Sequence, residues 1–183
     1  MRNKREDSPA DSDRRLEDGS APFTLQRLLQ YLDELGIRYR SVSHAPLFTV
    51  EQSKELRGDL PGGHTKNLFL RNKKGAMWLV TCLEDRAIDL KELGEQLGSG
   101  RLSFGRPDRL MRFLGVLPGA VTPLAVVNDK QRQVELVLDS ALLNHNPVNV
   151  HPLTNDMTVA LAPLDLLRFL EASGHAPRMV DFG

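Results

Sequence analysis

The chain has little of what would announce a standard chemistry. Of its 183 residues one is a cysteine, Cys82. A single thiol cannot build a disulfide framework, and its place in the apolar run Met77 to Leu83 predicts a buried group suited to a reducing cytosol. Lys and Arg total 24 against 24 Asp and Glu, so no global field recruits nucleic acid or a membrane surface. Any such partner must be met by a local patch. No apolar stretch approaches the roughly 20 residues of a membrane span, and the first residues lack the apolar core of a signal peptide. A soluble, cytoplasmic protein with no membrane partner is expected.

Catalytic signatures are equally scarce. There is no G-x-S-x-G elbow, and Cys82 lies among apolar neighbours, which argues against covalent catalysis. His44, His64, His145, His151 and His175 include no H-E-x-x-H pair, and no second cysteine exists to complete a zinc set. No metal site is expected. Gly62-Gly63-His64-Thr65-Lys66 has the wrong spacing for a P-loop, and the lysine is followed by a strand pattern rather than a helix.

The length suits one domain with a full core plus a tail. Residues 1–21 mix charges of both signs with Ser, Pro and Gly and hold one large aliphatic, Leu16. Such a segment buries too little apolar surface to offset its ordering entropy, so it reads as a disordered charged tail, with one domain over 22–183.

Within that domain, Leu25, Leu28, Leu29, Leu32 and Leu35 recur at helical spacing between a Thr24 cap and Gly36. Ile37 to Ser43 alternates as a strand. Thr49 with Gln52 predicts a capped helix from Val50 to Leu56. Asn67 to Arg71 and Ala76 to Leu83 flank the polar turn Asn72-Lys73-Lys74-Gly75 as a hairpin. Helices are predicted over Leu90 to Leu97 behind an Asp89 cap, over Arg106 to Leu114, and over Leu164 to Ala172 behind Pro163. Leu124 to Asn128 and Gln133 to Asp139 read as a second hairpin, and Val148 to His151 and Met157 to Leu161 as further strands. The pattern predicts an α+β fold: a twisted, mostly antiparallel mixed sheet surrounded by helices.

Polar groups collect at the edges of apolar segments: Lys66 and Asn67, the turn-rich loop Gly115 to Pro123, and Asn149-Val150-His151. By spacing alone Lys66 is either a strand-end lysine snorkelling to solvent or an ammonium aimed at a phosphate or carbonyl. His151 is either a satisfied strand-end histidine or a site residue. Arg101, Arg106, Arg109 and Arg112, with Arg71, Lys73 and Lys74 at the hairpin tip, form either a solvated face or a track for a phosphate backbone.

Together, Lys66-Asn67-Leu68-Phe69-Leu70, the Gly115 to Pro123 loop and Asn149-Val150-His151-Pro152 resemble the YbaK/prolyl-tRNA-editing superfamily. The likeness runs from about Thr24 onward and is greatest to freestanding deacylases that remove alanine mischarged onto proline tRNA. It implies a trans-editing hydrolase that cleaves the aminoacyl ester without metal or cofactor by positioning substrate and water. Lys66, Asn67 and His151 match site residues. Gly115 and Gly119 are expected to aim backbone N–H groups at the oxyanion. Arg71, Lys73 and Arg101 are expected to meet the tRNA(Pro) acceptor end, and Leu47, Phe48 and Val50 to wall the amino-acid pocket. Prolyl-tRNA synthetase and elongation factor are candidate transient partners. Two alternatives stay open: a deacylase for Cys-tRNA or another small aminoacyl-tRNA, and a non-catalytic tRNA-binding module.

Overall fold

The computed structural model describes residues 13–57 and 60–183. Its centre is the predicted hairpin, β2 (Gly63–Arg71) and β3 (Met77–Leu83), in antiparallel register with Lys66 opposite Cys82 and Asn67 opposite Thr81. The continuous apolar run of β3 reflects burial on both faces. Leu79 turns toward one core, with Phe69 of β2, and Trp78 and Val80 toward the other, with Leu70.

The sheet extends on both sides of this pair. Beyond β3 lie β5 (Val134–Asp139) and β8 (Arg178–Val180), both added in parallel. Beyond β2 come β6 (Val148–Val150), parallel, then β7 (Met157–Leu161) and β1 (Tyr39–Ser43), antiparallel. The two-residue β4 (Ser103–Phe104) pairs with the far end of β2. The strand order is β1-β7-β6-β2-β3-β5-β8. This is the predicted α+β mixed sheet.

Helices cover both faces. On one pack α1 (Leu25–Glu34), α4 (Pro107–Leu114) and α5 (Pro163–Ala172), which bury Leu28 and Leu32, Leu110 and Leu114, and Phe169 and Leu170. On the other, α3 (Leu90–Leu97) buries Leu93 and Leu97 against Leu70 and Trp78. Each such side chain contributes about 1.5–3 kcal/mol relative to exposure. The expected caps form: the Thr24 hydroxyl accepts from Arg27 N–H, and the Asp89 carboxylate from Lys91 and Glu92 N–H.

Three expectations need correction. Pro123–Asn128 is a buried 3-10 turn rather than a strand. The Thr122 hydroxyl accepts from Leu124 N–H, and Asn128 bridges Leu114 O to Phe23 N–H, so these polar needs are met without a sheet partner. No second hairpin forms, and β5 pairs with β3 instead. The strand at Arg178–Val180 is not legible in the sequence, because three residues carry too short a period to read.

The third correction concerns the tail. Residues 1–12 of it lie outside the described residues, but Asp13 to Ala21 packs on the domain. Leu16 is buried, Glu17 N–H donates to Arg112 O, and the Glu17 carboxylate grips Arg112 Nε and Nη2 at 2.6 and 3.0 Å. A buried leucine, a paired carboxylate and a Ser20 hydroxyl that accepts from Lys130 Nζ dock a segment whose composition reads as unfoldable.

Candidate active site

Lys66 is the fourth residue of β2 rather than its mouth, because pairing begins at Gly63. What starts the strand early is Asn149. Its side-chain Nδ2 donates to Pro61 O and Gly63 O, its carbonyl accepts the Thr65 hydroxyl at 2.8 Å, and Gly63 lies beside Val148 in parallel register. Gly62 has φ +100° with Pro147 O at 2.0 Å from where a Cβ would stand, so only glycine admits this approach.

Lys66, Asn67 and His151 then converge on one cavity of about 210 Å³, lined also by Leu47, Phe48, Val50, Thr65, Glu84, Gly119 and Val121. Five stretches of the chain meet there, around residues 47–53, 65–67, 84, 119–121 and 151. The Lys66 ammonium donates to Arg86 O. Asn67 Oδ1 accepts the Thr81 hydroxyl at 2.6 Å, so the group Asn67 presents to the cavity is its NH2 donor.

His151 Nδ1–H donates to Met157 O at 3.3 Å, which leaves Nε2 as an acceptor. Burial pushes the His151 pKa below its ordinary 6.5. The Met157 carbonyl works against that shift, and His44, with its ring centroid 6.5 Å away, adds to it. The imidazole is therefore neutral at pH 7. His44 is held by Thr158 Oγ1 on Nε2 and Ala45 O on Nδ1, both at 2.8 Å.

Gly119, at φ +90°, lets the 47–48 segment close over the cavity. A side chain there would meet Phe48 Cδ1 and Asn155 Nδ2 at 3.3 and 3.4 Å. Asn155 in turn holds that segment, its Nδ2 donating to Leu47 O and its carbonyl accepting Leu47 N–H. Leu47 is a buried wall and Val50 a half-buried one, while Phe48 is 68% exposed and forms the lip. The Thr49 hydroxyl accepts from Gln52 N–H, and Gln52 reaches back to Phe48 N–H, fixing the start of α2 (Val50–Arg57) beside the cavity.

Gly115 does not line this cavity. It caps α4, with its N–H given to Leu110 O and Met111 O, so it has no donor to spare for a substrate. Glu84 and Val121 join the site only in the fold. Glu84 follows the apolar run of β3 directly and reads in sequence as the start of a solvated turn, yet it is buried, with its N–H on His64 O.

The expected nucleic-acid residues gather at the other end of β2. Arg71 pairs in register with Ser103, and Asn72 Nδ2 donates to Ser99 O, which ties the Lys73 turn to the segment bearing Arg101. Arg71 lies five residues from Lys66, about 17 Å along the strand. Arg112 is withdrawn from this set by Glu17. A larger hollow of about 700 Å³ under α3 is walled by Leu90, Gly94 and Leu102, with Arg101 on its rim. It is the roomier space, and Lys91 and Glu95 also line it, but none of Lys66, Asn67 and His151 does. Among the described residues no helix is long and apolar enough to cross a membrane.

Comparison with known proteins identifies the family. The aminoacyl-tRNA editing domain family matches residues 44–169. The prolyl-tRNA editing protein ProX of Acetoanaerobium sticklandii is 38% identical over 85% of this chain and 96% of its own length. Prolyl-tRNA synthetase associated domain-containing protein 1 of Mus musculus is 44% identical over 85% of this chain and 94% of its own. A solved candidate trans-editing enzyme for prolyl tRNA synthetase shares the fold, with a TM-score of 0.66 at 21% identity over 87% of this chain and 96% of that one. The chain belongs to the aminoacyl-tRNA editing domain family, within the YbaK/prolyl-tRNA-editing superfamily that its motifs resemble.

Proposed function

We propose that this aminoacyl-tRNA deacylase is a trans-editing enzyme that hydrolyses alanine mischarged onto proline tRNA, using no metal ion. The observation that carries the reading is the convergence of Lys66, Asn67, Gly119 and His151 on one small cavity.

Ester hydrolysis needs a placed carbonyl, donors for the charge that develops on its oxygen, and an oriented water. Lys66 spends one ammonium proton on Arg86 O and keeps two for the terminal nucleotide of the acceptor end. Asn67 Nδ2 and the Gly119 N–H, which has no acceptor among the described residues, are the oxyanion donors. Each such donor is worth ~10²–10³ in rate. Neutral His151 accepts at Nε2 from the attacking water or from the ribose hydroxyl that orders it. Lys66 positions and does not transfer protons.

Selection rests on size. Leu47, Val50 and Val121 are the apolar walls set against the methyl of alanine, and the added methylenes of the proline ring are what those walls are to exclude. Arg71, Lys73 and Arg101 are assigned to the acceptor stem beyond the unpaired end, a reading supported by their grouping at the far end of β2. The test is a deacylation panel of mischarged tRNAs with the wild-type chain and Lys66→Ala. Ala-tRNA(Pro) should be cleaved and Pro-tRNA(Pro) spared, with turnover falling at least 100-fold in the variant. Preference for another aminoacyl group would overturn the substrate assignment, and unchanged turnover in Lys66→Ala would overturn the site.

A further inference from the structure

Lys66 carries a flexible four-carbon stem, yet its ammonium lies on one acceptor, the carbonyl of Arg86, 20 residues away. That carbonyl belongs to the tight turn after β3, closed by Arg86 N–H on Leu83 O at 3.1 Å. The turn is itself held from below by Asp139, the last residue of β5, which has no exposed surface. Asp139 Oδ2 accepts from Leu83 N–H at 3.2 Å and from Arg86 Nε at 3.0 Å, while Oδ1 accepts from Ala141 N–H at 3.0 Å. The Arg86 guanidinium also donates from Nη1 to Gly183 O.

A carboxylate with every contact a donor, two of them from one turn, fixes that turn as a rigid unit. We propose that Asp139, acting through Arg86, is a positioning device for the Lys66 ammonium: the buried ion pair sets where the Arg86 carbonyl points, and the carbonyl sets where the lysine stands. Neither residue lines the Lys66 cavity; Arg86 instead lines a neighbouring hollow that shares Glu84 with it, and Asp139 is fully buried. The same turn carries Glu84, which does line it, so the clamp also sets that wall. Without the clamp the Lys66 stem would sample several rotamers, and the ordering would have to be supplied anew at each binding event. The consequence for turnover rests on the reading of Lys66 given above; the positioning itself does not.

The experiment compares wild type, Arg86→Met, Arg86→Lys and Asp139→Asn in protein labelled with 13C-lysine. The Lys66 Cε–Hε resonance is assigned by its loss in Lys66→Arg. Expected is a displaced resonance in wild type that collapses toward the free-lysine position in Arg86→Met and Asp139→Asn and is partly restored in Arg86→Lys, which keeps a cation for Asp139. In parallel, kcat for Ala-tRNA(Pro) should fall at least tenfold in Arg86→Met, with KM nearly unchanged and part of the loss recovered in Arg86→Lys. Arg86→Met retains the apolar stem and keeps the test open if Asp139→Asn fails to fold. A Lys66 resonance unmoved in a folded Arg86→Met variant would overturn the proposal. A moved resonance with undiminished turnover would uphold the clamp and instead sink the role assigned to Lys66.

Discussion

Thr81 and Asn67 face each other across the β2–β3 pair, and the threonine hydroxyl donates to the asparagine amide oxygen at 2.6 Å. That bond decides which end of the amide meets the cavity. Thr81→Val keeps the shape of a fully buried side chain but leaves Asn67 Oδ1 unpaired, at a cost of about 1–3 kcal/mol. With the amide free to flip, kcat for deacylation should fall about tenfold while tRNA affinity holds. Denaturant melts and steady-state kinetics check both. Wild-type kcat in a destabilised Thr81→Val protein would show that the orientation of Asn67 is immaterial.

His151 makes the protein sensitive to acid in a defined direction. Burial chiefly, and His44 secondarily, lower its folded pKa below 6.5. The unfolded chain therefore takes up the proton first as pH drops. The stability associated with the neutral ring is complete above the unfolded value near 6.5 and is lost as pH falls from there through the folded pKa. Deacylation should show an acidic limb with its midpoint below 6.5, and His151→Gln should remove that limb along with most of the activity. A limb centred at or above 6.5 would contradict the neutral-acceptor role.

Cys82 sits opposite Lys66 across the β2–β3 pair but does not line the cavity. It is fully buried, and burial raises its pKa to about 11. The native thiol should resist alkylation at pH 8 and react only on unfolding, and Cys82→Ala should retain turnover within about threefold, since it removes a buried sulfur that touches no substrate. Rapid labelling of the native protein would show that β3 opens.

The basic end of β2 is testable by salt. Replacing Arg71, Lys73 and Arg101 with alanine should weaken tRNA binding and reduce the slope of log affinity against log salt by about one for each phosphate that is no longer neutralised. Arg112→Ala should leave that slope alone, because Glu17 already pairs its guanidinium. Equal slopes for the triple variant and wild type would place the acceptor stem elsewhere.

The segment Asp13 to Ala21 should behave as part of the domain. Leu16→Ala removes a buried side chain and should cost about 2 kcal/mol or slightly more. The drop in melting temperature measures it, and an unchanged melt would return the segment to the tail.

The site residues differ in how legible they are. Lys66 and Asn67 stand out because polar groups interrupt an apolar strand, and Thr49 and Gln52 because a capping box is a local pattern. Gly115 misleads, since a glycine that ends a helix and one that exposes its N–H look alike in sequence. Leu124 to Val127 has the apolar density of a strand. Only the Thr122 hydroxyl on Leu124 N–H and the Asp129 N–H on Val126 O, at its two ends, make a 3-10 turn the better way to satisfy its backbone.

Contiguous residues determined the helices, their caps, the central hairpin and the family motifs, because periodicity and capping act within a few residues of the chain. The tertiary structure alone decided that β5 runs parallel to β3, that Glu17 docks on Arg112, and that Asp139 lies beneath the turn that holds Lys66. Those pairings join residues that are distant in sequence. They are selected by which arrangement buries both faces of β3 and leaves each buried polar group a partner, a condition on the whole fold that no short stretch of sequence expresses.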